Sequence, residues 1–378
     1  MVETISAQRL REELAHTPSV PVVDTRGESS FEEWHIPGAI NYPFSSTDEV
    51  DVDAFESAVS ASDRVITICA EGISSDALAR QLEEVKPIDG VATVGDGMNG
   101  WSRVYDEVEV ELDADARVIQ LQRVAKGCLS YVVACPATGR AALVDPPRHL
   151  DTLRSVIDEH DLDLAFVLDS HVHADHVSGG PLVAEQWGVP YLIGERAVDR
   201  GMRHEHEAIA DGDTLELGSV TIRAMATPGH TTDIMSFVLD GAAVCTGDTL
   251  FTDAVGRTEL ESPEAARERA RSLYRSIHER LFDLPNETVV LPGHFDPGIE
   301  TIRAPPQPRT TTIRAAKTEI DLLSVDQEAF VDRIVDRSSE RPPNYETIIE
   351  LNLGQRDLPP LDELTELELG PNRCAAPA

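Results

Sequence analysis

Six consecutive residues near the middle of the chain, His171-Val172-His173-Ala174-Asp175-His176, constrain the fold more than any other stretch. They pack three imidazoles and a carboxylate directly behind an apolar run, AFVLD at 165–169, that reads as a buried strand. A strand end with a following loop can turn alternate side chains toward one point. Imidazole nitrogen and carboxylate oxygen together suit zinc, iron or manganese. Further along, His230 follows Thr227-Pro228-Gly229, Asp248 follows Thr246-Gly247, and His294 follows Leu291-Pro292-Gly293, each at a turn after an apolar run. Five histidines and two aspartates at the C-terminal lips of predicted strands are what a one-metal or two-metal site needs. His204 and His206, in the charged stretch RHEHEA, read instead as a solvated loop.

At roughly 150 residues per domain, 378 residues make two domains with some chain left over. The first, 1–108, alternates short β-like runs with helical stretches and is read as a small α/β unit. Its clearest pieces are the buried strand Arg64–Cys69 (RVITIC) and the helical spacing of Ser74–Glu84. Asp106–Ala116 (DEVEVELDADA) is acidic, lacks a core-sized apolar cluster, and reads as a linker or edge strand. The second domain, 115–310, begins with strands (VIQLQRV, YVVAC, AALVD) and a helix over His149–His160. It continues through a β-rich half (TIRAMAT, MSFVLD, AVCTG) to a helix opened by Ser262-Pro263-Glu264. Residues 311–378 turn helical and polar, with breaks at Pro342-Pro343 and Pro359-Pro360. That tail is too short for a domain and is expected to pack on the preceding one.

Lysine plus arginine total 32 against 68 aspartate plus glutamate, a net charge of −36, and only Lys86, Lys126 and Lys317 are lysines. Such a surface repels nucleic-acid phosphates and anionic lipid, so neither nucleic acid nor membrane is expected as a partner. The charge is spread along the chain and lysine is scarce, which reads as adaptation to high salt in a halophile, where screening relieves self-repulsion. No stretch has the apolar length of a signal or a membrane span, so a cytoplasmic protein is expected. Cys69, Cys128, Cys135, Cys245 and Cys374 are odd in number and widely spaced, and read as reduced thiols.

The metal motif resembles the metallo-β-lactamase fold family position by position over about residues 117–300. That resemblance implies an αββα sandwich with metal between its two sheets. In the family's two-metal hydrolases His171, His173 and His230 would hold one ion and Asp175, His176 and His294 the other, with Asp248 bridging and metal-bound water as nucleophile. Further strings carry a finer resemblance, to persulfide dioxygenases (sulfur dioxygenases). They are Gly127-Cys128-Leu129-Ser130-Tyr131, Val255-Gly256-Arg257-Thr258, the run from Ser272 to Glu279 continuing to Leu284-Pro285, and Pro371-Asn372-Arg373-Cys374. These enzymes are similar to glyoxalase II without its long helical substrate domain, and this chain likewise has only a short tail. The resemblance implies one Fe(II) per chain on His171, His230 and Asp248, with His173, Asp175, His176 and His294 as an outer shell.

Two histidines and one carboxylate leave open positions where a small-thiol persulfide and O2 meet without a bimolecular encounter. Asp175 is a catalytic candidate in that outer shell, and Arg257 is a candidate anchor for a substrate carboxylate through a bidentate contact. Phe295-Asp296 stands where the family commonly has Asp-Tyr, so a tyrosine hydroxyl associated with glutathione binding is missing. Cys128 and Cys374 match family cysteines and read as buried thiols.

Cys69 ends the strand RVITIC and is followed by Ala70-Glu71-Gly72-Ile73-Ser74-Ser75 and a helix. A cysteine in a tight loop opening a helix is surrounded by backbone N–H donors that can stabilise a thiolate or persulfide. With Val23-Asp24-Thr25-Arg26, Phe31 through Asn41, and Gly95 through Trp101, this loop resembles rhodanese domains over most of residues 5–105, which implies sulfane-sulfur relay through Cys69. Thiosulfate-using rhodaneses usually carry arginine in this loop, where the chain has Ala70, Glu71 and Ile73. Asp24 with Arg26 reads as a buried structural pair, and His35 as a packing residue.

The expectation is an α/β chain joining a sulfurtransferase to a persulfide dioxygenase, acting on a small-thiol persulfide and O2 as a homo-oligomer, a dimer. A glyoxalase II-like thioester hydrolase with two zinc ions or mixed zinc and iron remains open, because all seven ligand positions are present. So does a non-enzymatic sulfur-carrier module with a vestigial metal site.

Overall fold

The computed structural model describes residues 2–59, 62–85, 90–336, 341–368 and 374–375. Lys86 and the motif residues Pro371, Asn372 and Arg373 lie outside them. The first unit is built on β1 (Glu3–Ile5), β2 (Val22–Asp24), β3 (Ile40–Asn41), β4 (Arg64–Ile68) and β5 (Gly90–Val94). They form one sheet in the order β1-β5-β4-β2-β3, parallel throughout. A parallel sheet is covered on both faces, which is why its central strands are short, nearly unbroken apolar runs. On one side Ile66 and Ile68 share a core with Leu10, Leu14 and Trp101; on the other Val65 joins Phe55, Leu78 and Leu82. That alternation along β4 is the two-residue period of a strand.

The second unit has two sheets. The larger runs β6 (Tyr105–Val110), β7 (Arg117–Arg123), β8 (Cys128–Ala134), β9 (Arg140–Val144), β10 (Asp163–Asp169), β11 (Tyr191–Gly194) and β12 (Glu207–Ile209), each strand beside the next. Pairing is antiparallel from β6 to β9 and parallel from β9 to β12. The smaller sheet runs β13 (Thr214–Leu217), β14 (Val220–Ala226), β15 (Met235–Leu239), β16 (Ala243–Gly247), β17 (Val289–Pro292) and β18 (Thr311–Thr312). Leu129, Tyr131, Val133, Phe166 and Leu168 of one sheet interlock with Ile222, Phe237, Leu239 and Leu291 of the other. Helices Leu150–Glu159 and Gly180–Trp187 cover the outer face of the first sheet. Ala266–Glu279 and Gln327–Asp336 cover that of the second. The result is an αββα sandwich.

The larger sheet begins at Tyr105, inside the stretch read as the end of the first domain. The acidic run pairs with β7 from Tyr105 to Val110, so of the two readings, linker or edge strand, it is the edge strand of the larger sheet. Asp106 is buried there because Arg11 reaches it from the first unit at 2.7 Å. The same guanidinium donates to the carbonyls of Ile302 (2.9 Å) and Ala304 (3.1 Å). Val124, Ala125 and Ile302 complete the first unit's core, and Trp34 Nε1 donates to the Ala125 carbonyl at 3.1 Å. The tail also packs inward: Ile313, Phe330 and Val331 join Leu273 and Ile277, while Leu351 and Leu364 close over Val177.

Candidate metal centre

The loop after β10 carries the metal motif and is almost wholly buried, so its backbone groups need partners that no neighbouring strand supplies. Side chains from distant segments supply them. Asp145, at positive φ after β9, accepts from Ser170 N at 2.6 Å, and Asp233 accepts from Val172 N at 2.9 Å. Glu368 accepts from Val177 N at 2.9 Å. Asn352 donates to the carbonyls of His173 (2.9 Å) and His176 (2.8 Å) and accepts from Ser178 N (2.9 Å), so its whole carboxamide is used. Glu368 is itself buried between Arg148 (3.0 Å) and Arg123 (2.8 Å).

Within this frame three donor atoms converge. Asp248 Oδ2 stands 3.5 Å from His230 Nε2 and 3.9 Å from His171 Nε2. All three residues are buried, and none of these three atoms has a hydrogen-bond partner. Their far sides are fixed: His230 Nδ1 donates to the Arg257 carbonyl (2.8 Å), His171 Nδ1 meets Ser170 Oγ (2.8 Å), and Asp248 Oδ1 accepts from His294 Nδ1 (2.7 Å). A donating Nδ1 leaves Nε2 as a lone pair, the form that ligates metal. Burial holds both imidazoles below their ordinary value; for His171 the neighbouring His173 adds to this. Burial would raise the Asp248 carboxyl, but His294, His230 and His171 outweigh it and keep it a carboxylate. Orphaned buried polar atoms are costly, and two nitrogens with one oxygen aimed at one point fit a divalent cation. Gly293 makes the approach feasible, since a Cβ there would stand 2.5 Å from Asp248 Oδ1.

The other four motif residues are placed differently. His173 turns toward Asp145 and Asp169. Asp175 receives His294 Nε2 at 3.0 Å on Oδ2 and His176 Nδ1 at 3.1 Å on Oδ1. Cys128 Sγ joins them, 3.5 Å from Asp175 Oδ2, and these four form a buried group capable of holding an ion. Burial pushes the Cys128 thiol up and His176 pulls it down, leaving it at about 7. His294 thus bridges the two clusters.

Arg257, expected as a candidate anchor for a substrate carboxylate, is 2% exposed and lies against Glu259, with Nε 2.8 Å from Oε1. The carboxylate two residues on is thus a partner of this guanidinium. Cys374 is buried, and its carbonyl accepts from Arg257 N at 3.0 Å.

In the first unit Cys69 lies at the C-terminal end of β4, 5% exposed. Gly72 N–H donates to its Sγ at 3.1 Å and Ser75 Oγ at 3.4 Å. Gly72 has φ +86, and a Cβ there would strike the Gly95 carbonyl at 2.3 Å, so the tight loop requires glycine. Burial raises the thiol, but Ser75, Ser74 and the Glu71 backbone bring it below its ordinary value. Asp24 and Arg26 form a pair at 2.7 Å, and His35 stacks on Phe31 with centroids 4.0 Å apart.

Sequence reasoning missed Asn352, Glu368, Asp233 and Asp145. Asp145 follows the apolar run AALV, the same strand-then-acid signal that marks the ligands. Asn352 and Glu368 sit in a polar tail where nothing separates them from solvated neighbours.

Residues 123–294 match the Metallo-beta-lactamase superfamily and residues 6–104 the Rhodanese-like domain. An uncharacterized protein of Mycobacterium leprae is 38% identical over 192 residues, 44% of this chain and 86% of that protein. The human mitochondrial persulfide dioxygenase ETHE1 is 28% identical over 229 residues, 59% of this chain and 82% of its own length. The crystal structure of ETHE1 from Myxococcus xanthus superposes with a TM-score of 0.52 at 26% identity, covering 66% of this chain and 96% of that one.

Proposed function

Because this chain belongs to the metallo-β-lactamase superfamily and carries a rhodanese-like domain ahead of it, we propose that it is a persulfide dioxygenase fused to a sulfurtransferase. It takes a small-thiol persulfide and O2 and yields the thiol and sulfite, with water supplying the third oxygen and two protons released. The observation that carries this reading is the orphaned trio. Among the described residues, His171, His230 and Asp248 are the one metal-capable group in which every converging donor atom lacks a hydrogen-bond partner. One Fe(II) on two imidazoles and a carboxylate would keep positions open for a sulfur ligand and O2 and supply the redox chemistry between them.

The chain's own residues set the conditions. His294 holds a proton at Nδ1 against Asp248 Oδ1, which fixes the charge and orientation of that carboxylate. Asp175 ties His294 to His176, so the second cluster satisfies itself without an ion. The same residues with Cys128 remain a buried group able to hold a second ion, so a two-metal thioester hydrolase is separated from this reading by metal content. In the front domain Gly72 and Ser75 point donors at Cys69 Sγ, which suits a thiolate attacking a sulfane sulfur and carrying it as a persulfide. Glu71 in that loop opposes a dianion such as thiosulfate.

The −36 charge supports an origin in high salt. Long-range steering of an anionic persulfide is then screened, and selection rests on short-range contacts. Metal analysis of protein from its native host is the discriminating experiment. One iron per chain is expected; two ions including zinc would favour the hydrolase, and no metal would favour a sulfur carrier.

A further inference from the structure

His173 is the motif residue whose placement the motif does not explain. Its ring centroid is 4.3 Å from that of His171, one step along the loop from a converging ligand, yet its nitrogens stand outside the converging set. Nε2 faces Asp145 Oδ1 at 3.3 Å and Asp169 Oδ1 at 4.0 Å, and the three residues form a separate buried group. Asp145 is anchored by Ser170 N. Asp169 is anchored through Oδ2 alone, by Ser178 Oγ (2.6 Å) and Tyr191 OH (2.8 Å). Its Oδ1 has no hydrogen-bond partner, and neither has Nδ1 or Nε2 of His173, so what Asp169 offers the imidazole is a facing charge and not a hydrogen bond. The space for this is provided by Gly180, where a Cβ would stand 2.6 Å from the Tyr191 ring and 2.9 Å from Asp169 Oδ2.

The consequence is chemical. A third imidazole beside His171, His230 and Asp248 would fill a position and produce a nitrogen-rich set suited to zinc. We propose that Asp169, with Asp145, is a specificity-determining pair that holds His173 out of the metal's coordination, so that the centre keeps two imidazoles and one carboxylate. Asp169 is the decisive member, because its inward oxygen has no other partner whereas Asp145 is already engaged by the loop backbone. This rests on the metal-centre assignment of the proposed function and not on the reaction.

The test uses the full-length protein, stripped of metal and reloaded anaerobically with Fe(II), Zn(II) or Co(II). Asp169→Asn preserves side-chain shape and removes the charge facing His173. It is expected to raise zinc affinity relative to iron by about tenfold or more, the usual size of an outer-shell effect. The visible bands of the Co(II) protein are expected to intensify as a third imidazole joins. The double variant Asp169→Asn/His173→Asn is expected to return both readouts to wild type, a rescue that a merely structural role for Asp169 would not produce. His173→Asn alone is expected to leave the zinc-to-iron affinity ratio unchanged, and it decides the matter if Asp169→Asn fails to fold. The proposal is overturned by an unchanged ratio in Asp169→Asn, by a shift that survives in the double variant, or by a tenfold loss of affinity in His173→Asn alone. No persulfide enters these measurements. A protein that passes them yet oxidises none would sink the proposed reaction and leave this inference standing.

Discussion

Cys69 and Cys128 show how surroundings decide what a thiol does. Both are buried, and burial alone would keep each protonated. Around Cys69 the opposing groups are neutral donors, with Ser75 foremost, and they bring the thiol below its ordinary value. Iodoacetamide labelling of Cys69, followed by peptide mass spectrometry across pH, is therefore expected to have its midpoint below the ordinary thiol value of about 8.5. A midpoint at or above that value contradicts the assignment. Cys69→Ser is expected to abolish sulfane-sulfur transfer to an acceptor thiol, and retained transfer would remove Cys69 from that role. At this scale the chemistry-bearing residues were legible because each follows an apolar run and sits at a turn, a signal that survives without neighbours. Their partition into ligands and outer shell came only from the family resemblance, because spacing alone does not say which oxygen of Asp169 or Asp175 each imidazole meets.

The C-terminal extension is an element whose role exceeds its sequence signal. Asn352 and Glu368 lie about 180 to 190 residues beyond the loop they clamp. Asn352→Ala removes three hydrogen bonds to the buried backbone at 173–178. It is expected to weaken iron binding by about tenfold or more and to speed amide exchange over that loop. Unchanged binding and exchange would show the clamp to be dispensable.

Glu368 gives a pH-resolved test. Burial would raise its carboxyl, but Arg123 and Arg148 hold it well below the usual carboxylate range. An acid depressed in the fold contributes stability above its unfolded pKa and loses it as pH falls toward the folded one. Glu368→Gln should thus cost about 3–5 kcal/mol at neutral pH, because it strands two buried guanidinium groups. That gap should narrow below about pH 4.3, and denaturant melts in which it stays constant or widens in acid would contradict the reading. The strand β4 followed from its apolar run, whereas the tail was legible only as helical and polar, without individual helices placed. The choice between linker and edge strand for β6 stayed open because its acidic residues Asp106, Glu107 and Glu109 pair with Arg11, His160 and Arg117, partners that lie outside the segment.

On the scale of the whole molecule, Val124, Ala125 and Ile302 of the second unit's chain pack into the first unit's core, and the units are further tied by the buried Arg11–Asp106 pair. They are expected to unfold as one cooperative step, and two separable transitions would contradict that. Among the described residues no helix is long and apolar enough to cross a membrane. A chain carrying −36 repels itself, so its melting temperature is expected to rise from low salt to about 1 M KCl, where the Debye length falls to about 3 Å. Insensitivity to salt would remove the case for a halophilic surface. Architecture at this scale was legible because the metal motif admits few folds, whereas the interface between the units was not, since it is built from residues that resemble ordinary core in each.

The central claim concerns what the converging His171, His230 and Asp248 do once iron is bound. Oxygen consumption and sulfite formation by the anaerobically iron-loaded protein, supplied with a small-thiol persulfide in high salt, measure it most directly. The account predicts one O2 consumed per sulfite formed, lost in Asp248→Ala. Iron-loaded, folded protein that consumes no oxygen and forms no sulfite would contradict it.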